Sequence, residues 1–231
     1  MHKVQRNDAP EGLIEKDKEW KEQLNLNPSL KPDWEGFSKT ALRKNIIKRL
    51  DEMYSGCCCY CEGKIKNTSY PEIEHFKPRA DFPELCFDYS NFHFTCKRCN
   101  LAKGRQYNED MFSPSDENPE EFICFKGELA IGIDNRESGT RMIKILKLND
   151  RSDLKEERSK YLNTFTRNYN LIIKTIESVL ANGDNEGLEI VKPFINEFIL
   201  EVKMKSVHGE SYCTMIKHNF IEKIRMLQEV L

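Results

Sequence analysis

Long apolar runs are absent from the 231-residue sequence. No stretch reaches the ~18 consecutive apolar residues that a membrane-spanning helix needs, and the polar start at residues 1–6 contains no apolar signal-peptide core. We therefore expect a cytoplasmic protein. The apolar content of 39% still allows a buried core in one or two domains.

A strong charge excess of either sign is also absent. The formal net charge of −2 argues against a protein that coats nucleic acid by bulk electrostatic attraction. The charge is locally uneven, however, since residues 96–106 carry only bases and residues 109–121 carry only acids among their charged side chains. A second basic run, at residues 39–49, is interpreted either as a solvated helix face or as a phosphate-contacting surface.

The nine cysteines include two Cys-x2-Cys pairs. Cys58 and Cys61 form the first pair, and Cys96 and Cys99 form the second. A tetrahedral zinc ion takes four ligands, and each pair offers two thiolates from one tight turn. We therefore predict a structural Zn²⁺ site at these four residues, against the alternative that the pairs are accidental and the thiols simply buried.

The other five cysteines are expected to stay reduced, without disulfide bonds. Cys57 and Cys59 adjoin the first pair, so a shift of the ligand set by one position stays open. Cys58 with Cys61 is preferred because it has the required spacing. Cys213 is expected to be a small buried apolar residue, and His2 is assigned no role.

A second set of candidate residues lies between and just after the cysteine pairs. Hydrolysis of a phosphodiester needs a base for the attacking water and a cation near the phosphate. His75 is the candidate base, since an imidazole is available in its neutral form near neutral pH. Glu74 and Asn100 offer oxygen ligands, which suit Mg²⁺ or Mn²⁺ better than zinc.

The adjacency of Glu74 and His75 creates a geometrical conflict. A strand is predicted over residues 71–76, and neighbouring residues of a strand point to opposite faces. Either His75 lies at the strand end, where the chain bends, or one of the two assignments is wrong.

Four basic residues near these motifs are candidates for contact with nucleic acid. Lys103 follows Asn100 by three positions on a predicted helix and is expected near the same face. The full set of candidate phosphate contacts is Lys77, Arg79, Lys103 and Arg105. For Lys77 and Arg79, simple solvent exposure is an equal alternative.

Helical periodicity dominates both sides of the cysteine-flanked region. Before it, a break at residues 28–32 separates two amphipathic helices. After it, a hairpin is predicted at residues 122–131 with Gly127 in its turn, and Pro193 is expected to interrupt a later helix. The helical stripes cover residues 13–24, 37–53, 154–179, 188–202 and 212–231.

The order of the motifs resembles the zinc-containing HNH branch of the ββα-metal nucleases. The shared pattern is Cys-x-Tyr-Cys, Glu-His, Asn and Cys-x2-Cys-Asn-x2-Lys-Gly, over residues 58–104. The resemblance implies that His75 is the general base, at the point where a strand gives way to a loop, and that Asn91 braces that loop. It also implies that Glu74 and Asn100 bind one catalytic divalent metal. Because many members have aspartate where this chain has Glu74, ligation through water stays open.

A narrower resemblance is to the PtuB nuclease subunits of Septu-type anti-phage systems, including versions attached to retrons. It rests on Glu-Ile-Glu-His-Phe-Lys-Pro-Arg at residues 72–79, on the Pro10-x2-Leu13 start and on the long helical tail. It implies a nuclease effector acting on DNA or RNA with a PtuA-like ATPase and, in retron versions, with a reverse transcriptase and its RNA–DNA hybrid. A stand-alone restriction-type HNH endonuclease and a non-catalytic zinc-stabilised binding module are the alternatives.

We therefore expect a mainly α-helical α+β fold in which a zinc-stapled ββα-metal finger lies between helical regions. The expected divisions are residues 1–56 for an N-terminal helical cap, residues 57–107 for the HNH core, and residues 108–231 for the hairpin and a C-terminal helical domain.

Overall fold

Helices make up most of the fold, and two small hairpins complete it. The computed structural model describes residues 1–67, 70–133 and 137–231. The helices are α1 (Leu13–Leu26), α2 (Trp34–Phe37), α3 (Ala41–Tyr54), α4 (Lys97–Lys103), α5 (Glu137–Ile145), α6 (Ser152–Ala181), α7 (Asn185–Lys205) and α8 (Cys213–Gln228). The strands are β1 (Pro71–His75), β2 (Phe92–Cys96), β3 (Ile123–Lys126) and β4 (Leu129–Gly132).

The first hairpin and the helix after it form the ββα unit that the motif order predicts. Strands β1 and β2 pair antiparallel, with Glu74 opposite His93 and His75 opposite Phe92. Cys96 ends β2 and is also the residue that precedes the first turn of α4. The mainly helical α+β fold with an inserted finger is therefore confirmed.

The second hairpin joins the finger to the C-terminal helices. Strands β3 and β4 pair antiparallel, and Gly127 occupies the turn with φ +59°. Glycine suits this position because an L side chain is strained at positive φ. The predicted hairpin and its turn residue are therefore confirmed.

Two helical predictions differ from the structure. Phe37 belongs to the short helix α2, because the chain breaks at residues 38–40 and the Thr40 hydroxyl then accepts a hydrogen bond from the Arg43 N–H to start α3. The predicted interruption at Pro193 is wrong, since α7 continues through it. The buried Val191 and Ile195 anchor α7 on both sides of the proline, and this packing offsets the lost backbone hydrogen bond.

One continuous cluster of buried apolar side chains includes residues from all three expected divisions of the chain. Helix α6 packs on α7, and α8 packs on both α7 and β3. Among the helices of the described residues, none is long and apolar enough to cross a membrane. The ββα unit therefore has a shared core with the helices that surround it.

Candidate active site and cysteine cluster

The structure brings together the four cysteines predicted to bind zinc. Cys58, Cys61, Cys96 and Cys99 are buried, and their sulfur atoms all lie within 4.8 Å of one another. A tetrahedral zinc ion with Zn–S bonds of about 2.3 Å holds its sulfurs about 3.8 Å apart. The Cys61 and Cys96 sulfurs are 4.0 Å apart, so the cluster has the number and spacing of donors that this ion requires.

The backbone around the first pair explains why Cys58 and Cys61 point into the cluster. The Cys58 N–H donates to the Gly63 carbonyl at 3.0 Å, and the Cys59 N–H donates to the Phe94 carbonyl at 2.8 Å, which ties this turn to β2. The Cys57 sulfur instead lies 3.6 Å from the Gly209 carbonyl oxygen. The alternative ligand set that includes Cys57 therefore has no support in the geometry.

Arg151 adds a positive charge beside the cluster. Its Nη1 atom lies 3.1 Å from the Cys99 sulfur. Four thiolates carry more negative charge than one zinc ion neutralises, so a nearby guanidinium stabilises the loaded cluster. Arg151 lies 52 positions from Cys99 in the sequence, and no motif links the two residues.

Glu74, His75 and Asn100 line one cleft with a volume of about 750 Å³. His75 is the last residue of β1, so its side chain is not bound by the strict alternation of the strand. Asn100 reaches the same cleft from the first turns of α4. The conflict between Glu74 and His75 is thus resolved by the position of His75 at the strand end.

The His75 ring is held in a defined orientation. Its Nε2 atom lies 3.0 Å from the Cys86 carbonyl oxygen, and since a carbonyl can only accept, Nε2 carries the proton and Nδ1 keeps its lone pair. The ring packs edge-on against Trp34 and Phe92, with centroid distances of 4.6 and 5.0 Å. Burial lowers the pKa of His75 to about 4, against the Cys86 hydrogen bond that raises it. The imidazole is therefore neutral near pH 7.

Asn91 ties together the loop that follows His75. Its Oδ1 atom accepts from the Lys77 N–H at 2.7 Å, and its Nδ2 donates back to the Lys77 carbonyl at 2.9 Å. The Asn91 carbonyl also accepts from the Phe76 N–H at 3.0 Å. These hydrogen bonds fix the backbone immediately after His75, which is the bracing position that the resemblance implies.

Lys103 lies elsewhere than predicted. It is fully buried, with its Nζ atom 2.6 Å from Glu74 Oε1 and 3.0 Å from the His75 carbonyl oxygen. Lys103 shares the inward face of α4 with Cys99, four positions earlier, rather than the cleft face with Asn100. The prediction that Lys103 contacts substrate phosphate is wrong, because its ammonium is buried and forms an ion pair with Glu74.

Glu74 keeps one oxygen available for a cation. Burial raises the pKa of Glu74 to about 7, because desolvation outweighs the opposing attraction of Lys103. Within residues 1–67, 70–133 and 137–231, neither Glu74 Oε2 nor the half-buried Asn100 side-chain amide has a hydrogen-bond partner. A carboxylate and an amide oxygen on one cleft fit a hard divalent cation such as Mg²⁺ or Mn²⁺.

The other basic candidates divide into two groups. Arg79 and Arg105 line the cleft, and Arg105 forms an ion pair with Asp81 at the surface. Lys77 instead lies over the rings of Phe82 and Tyr107, with Nζ 5.5 and 5.6 Å from their centroids. Arg79 and Arg105 are therefore placed to meet a ligand in the cleft.

One wall of the cleft comes from a segment that sequence reasoning did not connect to the site. Residues 28–32 and Trp34 line the cleft opposite the ββα unit, and the exposed Lys31 is among them. The Arg79 guanidinium lies over the Trp34 ring at 5.3 Å. The only signal in the sequence was the helix-breaking pair Pro28 and Pro32, which marks a loop but not its position.

Comparison with known families agrees with this geometry. The family model described as HNH endonuclease matches residues 58–106, which contain both cysteine pairs, Glu74, His75 and Asn100. Residues 58–106 belong to the HNH endonuclease family. Residues 28–32 and Trp34, which form one wall of the cleft, and helix α6 lie outside the matched range.

Two relatives extend the similarity beyond the HNH domain. The Septu protein PtuB of Bacillus mycoides (strain KBAB4) is 30% identical over 150 residues, which cover 51% of this chain and 50% of that protein. The Septu protein PtuB of Bacillus thuringiensis is 31% identical over 166 residues, or 68% of this chain and 57% of that protein. The chain thus spans about half the length of these relatives, and the predicted resemblance to both HNH and PtuB proteins is confirmed.

The name of a third relative describes it as an HNH endonuclease of retron Vc95. It comes from Vibrio cholerae serotype O1 biovar El Tor and is 31% identical over 67 residues, or 28% of this chain and 32% of that protein. This similarity is confined to a segment not much longer than an HNH domain.

We expect Cys96→Ser to remove one zinc ion per chain and to destabilise the HNH domain by more than about 4 kcal/mol, because structural zinc supplies folding free energy directly. Zinc content by mass spectrometry and unfolding followed by circular dichroism measure the two effects. Cys124→Ser, at a half-buried cysteine on β3, is the matched control and should keep both properties. Retention of the full zinc content by Cys96→Ser would contradict the assigned ligand set.

We expect Lys103→Met to lower the free energy of unfolding by about 3–5 kcal/mol, because it leaves the buried Glu74 carboxylate without its charged partner. Urea denaturation measures the change. Lys97→Met, at an exposed lysine on the same helix, should change stability by less than about 0.5 kcal/mol. Equal stability of the two variants would show that the Glu74–Lys103 pair does not contribute in solution.

Proposed function

We propose that this protein is a metal-dependent HNH endonuclease that hydrolyses phosphodiester bonds of DNA or RNA. One observation carries the proposal: the neutral His75 imidazole lines the same cleft as the two oxygen donors, Glu74 and Asn100. A base for water and a seat for a divalent cation are the two groups that phosphodiester hydrolysis needs from an enzyme.

His75 is the proposed general base. Its Nδ1 atom accepts the proton of the attacking water, and the Cys86 carbonyl holds the ring in the tautomer that leaves Nδ1 unprotonated. Asn91 keeps the following loop in place through its two hydrogen bonds to Lys77. These contacts fix the direction of proton transfer before the substrate binds.

Glu74 and Asn100 are the proposed ligands of the catalytic divalent cation, Mg²⁺ or Mn²⁺. When bound, such an ion supplies Lewis-acid stabilisation of the negative charge that develops on the phosphate. Lys103 holds the Glu74 carboxylate in position through the contact at Oε1, which leaves Oε2 as the proposed ligand atom. The four cysteines hold Zn²⁺ with a purely structural role in this proposal.

The biological setting is proposed from the relatives. Two of them are named Septu protein PtuB, so we propose that the chain is the nuclease effector of an anti-phage defence complex with a PtuA-like ATPase. The relative named for a retron supports, as a second setting, a complex with a reverse transcriptase and its RNA–DNA hybrid. Arg79 and Arg105 are the proposed contacts to substrate phosphates.

We expect His75→Ala to reduce nucleic-acid cleavage by about 10²–10⁴-fold, the usual contribution of a general base, while the protein stays folded. The measurement is single-turnover cleavage of DNA and RNA with Mg²⁺ or Mn²⁺, with and without the ATPase subunit. His218→Gln, at a histidine outside the cleft, is the control. Undiminished cleavage by His75→Ala would exclude this mechanism, and cleavage without any ATPase would favour a stand-alone enzyme.

We expect Arg79→Ala and Arg105→Ala each to reduce the slope of log K against log salt concentration by about 0.9 for duplex DNA, the value for one lost phosphate contact. Binding is measured by fluorescence anisotropy in the His75→Ala background over a range of salt concentrations. Arg98→Ala is the control, because Arg98 is an exposed arginine that is not among the residues lining the cleft and pairs with Asp153 on α6. An unchanged slope in both cleft variants would place the substrate on another surface.

A further inference from the structure

A second cluster of metal-ligating side chains lies outside the HNH cleft. His2, Glu62 and Cys213 come from the N-terminal segment, from the turn after the first cysteine pair, and from the start of α8. The exposed fractions of their side chains are only 11%, 1% and 2%. Neither the HNH motifs nor the proposed reaction uses any of the three.

Their donor atoms have the mutual distances of ligands around one ion. His2 Nδ1 lies 3.0 Å from Glu62 Oε1 and 3.5 Å from the Cys213 sulfur, and Cys213 Sγ lies 3.7 Å from Glu62 Oε1. Bond lengths of about 2.0–2.3 Å from zinc to nitrogen, oxygen and sulfur place tetrahedral donors about 3.3–3.6 Å apart. The three atoms therefore surround a point that a zinc ion fits.

A chain of hydrogen bonds sets the tautomer of His2. His208 Nε2 lies 3.1 Å from the Met53 carbonyl oxygen, which can only accept, so this nitrogen donates and His208 Nδ1 accepts. His208 Nδ1 in turn contacts His2 Nε2. His2 Nε2 is then the donor, and in the neutral ring His2 Nδ1 presents a lone pair to Glu62 and Cys213.

A lone pair that faces a carboxylate oxygen at 3.0 Å needs a cation between the two atoms. A proton on His2 would satisfy this need, and so would a metal ion. Glu62 already receives hydrogen bonds from Thr214, through its backbone N–H to Oε2 at 3.3 Å and through its hydroxyl to Oε1. These contacts hold the carboxylate in place, as outer contacts hold metal ligands in proteins.

The Met1 ammonium is the other cation at this position, 3.0 Å from Glu62 Oε1. Its ion pair is with Glu62, and this pair does not explain why the His2 lone pair and the Cys213 sulfur approach the same oxygen, at 3.0 and 3.7 Å. An imidazole, a carboxylate and a thiolate together bind zinc better than they bind Mg²⁺ or Ca²⁺.

We propose that His2 Nδ1, Glu62 and Cys213 Sγ bind a second zinc ion. A neighbouring cavity of about 270 Å³, lined by His2, His208, Cys213 and Thr214, gives room for water as the fourth ligand. Glu62 directly follows Cys61 of the four-cysteine cluster, so the two ions support the same turn from its two sides. This second ion joins the N-terminal segment and α8 to the HNH domain.

The test is the zinc content of untagged protein with residues 1–231, purified without chelator and measured by mass spectrometry against protein concentration. The expected result is two zinc ions per chain in the wild type and one in Cys213→Ser and in His2→Ala. Cys57→Ser is the matched control, because its buried thiol lies beside the carbonyls of Gly209 and Glu210 and belongs to neither ligand cluster, and it should keep two. The zinc that remains in the four cysteines shows that a variant has folded.

X-ray absorption at the zinc edge tests the wild type without mutation. Two different sites predict an average of about 2.5 sulfur ligands per zinc ion, whereas the four-cysteine site alone predicts about 4. One zinc ion per wild-type chain with about four sulfur ligands would overturn the proposal. So would two zinc ions that both persist in Cys213→Ser and His2→Ala.

Discussion

The convergence of four thiols within 4.8 Å is the constraint on which the rest of the site depends. Cys96 is the last residue of β2 and Cys99 lies in the first turn of α4, so the cluster fixes the angle at which the helix leaves the hairpin. A helix of only seven residues cannot hold that angle by its own stability, since isolated helices shorter than ~12–15 residues are marginal in water. Asn100 follows Cys99 directly, so whatever fixes the cluster also fixes the amide that faces the cleft.

The buried pair of Glu74 and Lys103 connects the cluster to the chemistry. Lys103 completes the inward face of α4 and binds both the Glu74 carboxylate and the His75 carbonyl. A single ammonium thus holds the end of β1, where the proposed base and one proposed metal ligand are neighbours. Burying two charges is costly, so a buried ion pair is weak evidence for stability, and we infer that this pair serves to fix a geometry. Here that geometry is the position of the Glu74 carboxylate, a proposed metal ligand, relative to His75, the proposed base.

The candidate ligands and the candidate base could be predicted from their spacing in the sequence, but the long-range contacts that hold them in place could not. Two Cys-x2-Cys pairs define four ligands because the short spacing constrains each turn by itself. Lys103 was misplaced because a spacing of three from Asn100 and four from Cys99 is compatible with either face of α4. Only the packing of that helix on β1 decides between them.

Arg151 and Trp34 were missed for the same reason, since their contacts join segments that no local pattern relates. The continuation of α7 through Pro193 likewise reflects tertiary packing that outweighs a local preference.

The long-range contacts indicate that the HNH domain depends on both flanking regions for its working geometry. Trp34, from the N-terminal side, packs on the His75 ring and closes one wall of the cleft. Arg151, from the C-terminal side, contacts a sulfur of the cysteine cluster, and the Tyr212 N–H donates to the Glu62 carbonyl at 3.2 Å. A change in the position of α6 or α8 would therefore be transmitted to the turn that carries Cys58 and Cys61. A partner that binds the C-terminal helices has a direct physical route to the cluster on which the base and the metal ligands are built.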